Sequence, residues 1–248
     1  MLIILSYSTF TIKMKHLLLS LILFPFLATA QSNVSLDFVV GADYTFRTLY
    51  ASDNYEFILK VREAEVGKLN GRTGFNFSKR ITNRLFLKTG VRLASVGYYI
   101  KKQDDVRWES EYSTGEWVPD PNLPHKLSLI KDYWFVEFPL MARLEFNQRK
   151  WAPFLEGGVS PSLYVTTRTI IESDFDKNSD FEHAAVKGFN RLQWVGVLSF
   201  GMNYNATSRI QLFAQPVLRY HLSNLVKAPV KEHLYTAGLE MGARLKLK

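Results

Sequence analysis

The chain has 248 residues, no cysteine and a formal net charge of +8, which excludes disulfide frameworks, thiolate metal centres and lipidation through an N-terminal cysteine. Lys13 and Lys15 carry two of those eight charges, leaving +6 for residues 31–248, and the bases lie among acids along the sequence. A nucleic-acid surface gathers its bases in one stripe, so no nucleic acid is expected as a partner.

Residues 1–30 read as a signal peptide. Met14-Lys15-His16 supplies a basic start, Leu17 to Leu27 an apolar run, and Ala28-Thr29-Ala30 a small-x-small cleavage site before Gln31. Met14 is the expected start, and residues 31–248 form one domain with no internal linker. The apolar run is about 11 residues, against roughly 20 for a spanning helix, so it is not expected to persist as an anchor.

Beyond Gln31 the hydrophobic period is two, the signature of strands whose faces meet different media. The first segment sets Leu36, Phe38, Val40, Ala42, Tyr44 and Phe46 against Ser35, Asp37, Gly41, Asp43, Thr45 and Arg47. Less regular segments follow at 69–79 (Phe75, Phe77 against Arg72), 85–100 (Leu85, Leu87, Val91, Leu93 against Lys88, Arg92), 133–146 (Trp134, Val136, Phe138, Leu140 against Glu137, Arg143, Glu145) and 151–167 (Leu155, Val159, Leu163 against Glu156, Ser160). The last three are regular again. Leu192, Trp194, Leu198, Phe200 and Met202 oppose Arg191, Gln193, Ser199 and Asn203; Ile210, Leu212, Leu218 and Tyr220 oppose Gln211, Gln215, Arg219 and His221; Tyr235, Leu239, Met241 and Leu245 oppose Thr236, Glu240 and Arg244.

The connections alternate long and short: 48–68, 80–84, 101–131, 147–150, 168–188, 205–208 and 223–233. That rhythm belongs to an all-β, eight-stranded antiparallel up-and-down transmembrane barrel with short periplasmic turns and long outer loops. Lipid offers backbone groups no hydrogen bond, so the sheet must close. Tyr44, Phe46, Tyr99, Trp134, Phe146, Trp151, Tyr204, Tyr220 and Tyr235 are placed to form interfacial girdles. Pro139, Pro153, Pro161 and Pro216 lie inside proposed strands, where each removes a ladder donor, and are expected at bulges or rims.

Four stretches, Phe135–Arg143 (FVEFPLMAR), Trp151–Val159 (WAPFLEGGV), Leu218–Leu225 (LRYHLSNL) and Gly238–Leu245 (GLEMGARL), resemble the PorT-like outer-membrane barrels of Bacteroidetes. The resemblance covers essentially all of residues 31–248 and identifies a barrel type more than an activity. It implies a place in the outer membrane and, for one branch of that group, a role in protein secretion to the cell surface. The chain departs from the usual terminal aromatic of such barrels by ending Leu245-Lys-Leu-Lys248.

An eight-stranded barrel is filled by its inward side chains, so function is not expected to be a diffusion pore. Alternation directs Asp37, Asp43, Glu137, Glu145, Glu156 and Glu240 inward beside Arg47, Arg72, Lys88, Arg92, Arg143, Arg191, Arg219 and Arg244, and buried charges require partners. Recognition then falls to the outer loops. The 101–131 loop offers Trp108, Tyr112 and Trp117 for a protein or glycan contact, while the wall meets outer-membrane lipid and lipopolysaccharide. Asp174, Asp176, Asn178, Asp180 and Glu182 superficially match a calcium loop, but Ser179 replaces its turn glycine and Ala185 its bidentate glutamate, so no metal is expected. No cofactor is expected either.

Two alternatives differ in class. His221-x-Ser223-Asn224 resembles the motif of outer-membrane lipid A deacylases, with Glu232 the nearest acid to orient the histidine. A soluble lipocalin-like barrel would instead turn the Leu, Phe and Trp rows inward around a ligand. The leading expectation is a non-enzymatic barrel with a structural or interaction role.

Overall fold

A computed structural model of the protein describes residues 34–50, 65–104, 106–108, 117–182, 189–225 and 231–247. The proposed signal peptide, Tyr112 and most of the first long loop lie outside the described residues. Ten β-segments are present: β1 Val34–Tyr50, β2 Glu65–Arg80, β3 Leu85–Asp104, β4 Lys126–Glu137, β5 Leu140–Glu145, β6 Trp151–Ser173, β7 Lys177–Glu182, β8 Leu192–Asn205, β9 Ile210–His221 and β10 Lys231–Lys246. The described residues contain no helix.

These segments make one closed antiparallel ring. β4 and β5 act as a single stave between β3 and β6, β7 pairs only with β6, and β1 closes the ring by pairing with both β2 and β10. The long closing ladder runs from Ser35↔Lys246 to Tyr50↔Lys231. Closure leaves no unpaired edge at the level of the membrane, which is the condition for a sheet to span lipid.

Period-two alternation then sorts the side chains. Leu218 (61% exposed) and Leu198 (54%) face outward with Phe38, Phe75, Leu155 and Met241, whereas Asp37, Asp43 and Arg143 are fully buried inside. The inside-out alternative, a lipocalin-like barrel with its apolar rows enclosed, is thereby overturned. Trp151 and Tyr204 meet at 4.6 Å at the short-turn end, and Tyr220 and Tyr235 at 4.7 Å toward the long loops, so aromatics pair across strands at both levels.

Three departures have physical causes. First, the strands continue past their expected ends on the long-loop side: β3 reaches Asp104, β4 starts at Lys126, and β6 runs 23 residues to Ser173. Polar residues do not end a strand that keeps a hydrogen-bonded neighbour, and β6 finds one in β7 after a turn at 174–176. The expected 168–188 loop is therefore largely a hairpin. Second, Pro139 breaks the stave between β4 and β5, and across the break Phe138 N–H donates to the Pro161 carbonyl at 2.8 Å. Third, Pro216 sits in mid-strand on β9, away from any rim or bulge. It keeps its pairing to Leu239, while the β8 ladder skips from Ser199↔Val217 to Met202↔Ala214, the gap left by the missing donor.

Candidate functional site

The inward residues form stacked layers along the barrel axis, beginning at the short-turn end. Arg244 grips Asp37 with two donors (Nε to Oδ1 2.7 Å, Nη2 to Oδ2 3.0 Å) and reaches Gln211 (3.1 Å) and Glu145 (3.3 Å). In the next layer Glu156 accepts from Lys88 at 2.9 Å and Arg143 at 2.6 Å, and the Arg143 guanidinium lies 3.8 Å from the Phe154 ring centre. Above these, Glu240 accepts from Arg92 (3.0 Å) and Gln215 (2.7 Å) and pairs with Arg219. Arg219 also donates to Asp43 at 2.8 Å, and Arg72 bridges Asp43 and Glu137. Each cation thus meets a carboxylate, and most carboxylates meet two cations, as charges withdrawn from water require.

Thirteen of the fourteen sequence-predicted lumen charges, all except Arg191, have buried side chains in this network. Arg191 is exposed, because it precedes β8 at a bend and lies outside the alternating register that starts at Leu192. The sequence pattern missed four further members. Arg47 donates to Glu65 and Glu232, and Lys68 pairs with Asp132. Three of these four, Glu65, Lys68 and Asp132, belong to strand ends that bulges shift out of simple alternation: β2 slips against β3 between Gly67 and Arg72, and β4 against β6 beside Trp134.

Between the Arg72 layer and the Arg47 layer lies an apolar plug that alternation alone did not signal. Val96, Tyr98, Tyr133, Phe135 and Leu234 point inward and are closed by Leu225, with Phe189 packed against them. The Arg47 guanidinium lies 3.8 Å from the Tyr98 ring centre and covers the plug from the loop side. The available signal was continuity of face: Tyr133 and Phe135 share parity with Glu137, and Val96 and Tyr98 with Arg92.

The residues proposed for acyl transfer are not brought together. His221 is buried with its ring 6.1 Å from Phe135, and neither ring nitrogen has a hydrogen-bond partner among the described residues. Ser223 Oγ accepts instead from the Trp194 backbone N–H at 3.1 Å, and Glu232 is held by Arg47. The acidic run 174–180 is splayed along the β6–β7 hairpin with Asp174, Asp176, Asn178 and Asp180 exposed. Asp174 and Asp176 sit in the turn, whereas Asn178 and Asp180 are held in the β7 ladder opposite Ile171 and Thr169, so the run is not wrapped as a ring around one ion.

The 101–131 connection is ordered where it is described. Trp117 carries the Arg107 guanidinium 4.5 Å from its ring centre and meets His125 edge-on at 6.2 Å, while Trp108 Nε1 donates to the Pro124 carbonyl at 2.8 Å. His125 places Nδ1 2.9 Å from the Val106 carbonyl and Nε2 3.1 Å from that of Asp120, and its backbone N–H donates to Asp174 Oδ2 at 3.3 Å. The loop is therefore clamped to the β6–β7 hairpin.

A closed ring of eight staves, apolar outside and charge-paired inside, defines a membrane-spanning β-barrel. The chain belongs to the family described as outer membrane protein beta-barrel domain, which matches residues 29–227, and its place is the outer membrane. No functionally curated protein matches it. Among solved structures it is similar to Neisserial surface protein A (15% identity, 85% of this chain and 97% of that one, TM-score 0.41). It is similar also to OprG from Pseudomonas aeruginosa (10%, 88% and 97%, 0.40) and to the outer membrane protease OmpT from Escherichia coli (8%, 88% and 98%, 0.45).

Proposed function

We propose that the protein is a non-catalytic outer-membrane barrel that presents a rigid recognition surface outside the cell, in the service of protein export to that surface, as the PorT-like resemblance implies. The observation that carries this reading is the length of the wall on one side. At about 3.3 Å per residue and a tilt of about 45° the 23-residue β6 rises roughly 50 Å along the barrel axis, whereas the hydrocarbon core is about 30 Å thick. β3, β4, β6 and β7 thus continue as a sheet beyond the membrane, and the clamped Trp108 and Trp117 loop leans on it. A rigid platform lowers the ordering cost of binding a partner, and aromatic residues with mixed charges suit a protein surface. The lumen, packed with paired charges and an apolar plug, serves as the scaffold.

The test is cross-linking on intact cells that carry the wild-type protein or a version with residues 106–125 replaced by a short Gly-Ser linker. The expected result is a specific cross-linked neighbour lost with the loop, together with reduced surface delivery of secreted proteins. Identical cross-links and unchanged secretion in a correctly assembled variant defeat the reading.

A further inference from the structure

The bases that look scattered along the sequence gather in space at the short-turn end. Arg80 and Arg84 flank the first short turn, Arg149 and Lys150 end the second, Arg209 ends the third, and Lys246 ends β10. No Asp or Glu occurs in residues 78–85, 146–151, 204–211 or 245–248. The opposite end mixes acids, including Asp104, Glu172, Asp174, Asp176 and Asp180, with bases such as Lys101, Lys102, Lys126 and Lys177. Unbalanced positive charge is thus concentrated at the short-turn end, which faces the periplasm if the short turns lie there.

That end is also concave. A recess of about 350 Å³ opens at the mouth, lined by Arg80, Arg149, Lys150, Arg244 and Lys246, with Glu145 its one acid. Glu145 is already engaged by Arg244 and Asn203, and Arg244 by Asp37. Among the described residues no carboxylate pairs with Arg80, Arg149, Lys150 or Lys246. Arg80 is steadied by the Phe86 ring at 5.5 Å, Lys150 by the Tyr204 ring at 5.4 Å, and Lys246 Nζ rests 3.4 Å from Asn205 Oδ1. Five cations thus line one small recess whose single acid, Glu145, is shared with Arg244, and this net positive lining is arranged for an oxyanion. The guanidinium fork matches phosphate oxygens in geometry as well as charge.

We propose that the short-turn mouth is a binding site for a phosphate-class oxyanion approaching from the periplasmic side, either on a soluble phosphate compound or on the headgroup of an inner-leaflet phospholipid. The site is independent of the recognition surface at the other end, and neither reading stands or falls with the other.

The test uses the mature barrel in phosphatidylcholine nanodiscs titrated with inorganic diphosphate, and in parallel discs containing phosphatidylglycerol, with retained lipid read by native mass spectrometry. Two double variants remove the same charge: Arg80→Gln with Lys246→Gln inside the recess, and Arg84→Gln with Arg209→Gln on the turns beside it. A heat-dependent gel shift first establishes that each is folded. The recess pair is expected to weaken diphosphate binding about tenfold or more and the turn pair about threefold or less, since only direct contacts exceed a screened field effect. Binding of phosphatidylglycerol alone, lost in the recess pair, assigns the lipid headgroup as the source. Equal losses in the two pairs, or no binding of either probe to wild type, overturn the proposal.

Discussion

Gly238 on β10 stands directly opposite Asp43 on β1, so close that a Cβ at position 238 would lie 2.0 Å from Asp43 Oδ1 and 2.5 Å from the Ala42 carbonyl. Asp43 Oδ1 accepts from Arg219, and Oδ2 is bonded to Arg72. A methyl group at 238 must therefore push the carboxylate away from two buried guanidiniums. Gly238→Ala is expected to destabilise the barrel by about 3 kcal/mol, the scale of stranding a buried charge. Gly157→Ala is the control, because its nearest neighbours are 3.7 Å away, and its effect should stay within about 0.5 kcal/mol. Urea unfolding in phosphatidylcholine vesicles measures both, and equal effects would refute the close-approach argument.

Glu156 serves two cations at once, Lys88 and Arg143. Glu156→Gln leaves a net positive cluster in the interior and is expected to cost about 3–5 kcal/mol. Adding Lys88→Met removes the surplus charge and should return at least about 1 kcal/mol of that loss, the interaction term that neighbours in one network display. Strict additivity of the two substitutions in the same unfolding measurement would mean the network is not coupled.

The wall of this barrel was legible because its two faces meet different media. Wherever a strand alternates lipid-facing Phe or Leu with Asp, Arg or Gln, as in β1, β9 and β10, sequence and structure agree nearly residue for residue. The plug was opaque for the same reason: at Tyr133 to Val136 both faces are apolar, so the period vanishes even though Tyr133 and Phe135 are enclosed and Trp134 and Val136 lie on the outward face. Pairing distance was opaque too. Nothing local joins Arg47 to Glu232 or Lys68 to Asp132; the ring's closure does. The bases of the short turns likewise come from separate hairpins, and only the closed ring collects them.

Leu198 lies at the middle of β8, outward and 54% exposed. An exposed leucine in a water-soluble protein accepts arginine at a cost within about 0.5 kcal/mol. In the bilayer midplane the same change costs about 2–4 kcal/mol. Leu198→Arg should therefore lower stability in vesicles by an amount in the second range, and the penalty should shrink for Ile210→Arg at the short-turn rim. A flat profile along the wall would contradict the placement of lipid against it.

Trp117 is the keystone of the described outer loop, since it contacts both Arg107 and His125, and His125 ties Val106, Asp120 and the β6–β7 hairpin together. Removing the indole deletes a cation–π contact and an edge-on aromatic pair, together worth about 1–2 kcal/mol at a partly exposed site. That loss acts on local opening and leaves the membrane ring untouched, because none of these residues pairs across the barrel wall. Cleavage that depends on local opening rises in proportion to the open population, so Trp117→Ala should speed proteolysis within 106–125 on intact cells about five- to thirtyfold. The same variant should keep the wild-type unfolding midpoint in vesicles. Accelerated cleavage with a lowered midpoint would show that the loop and barrel form one cooperative unit, and unchanged cleavage would show that Trp117 does not hold the loop.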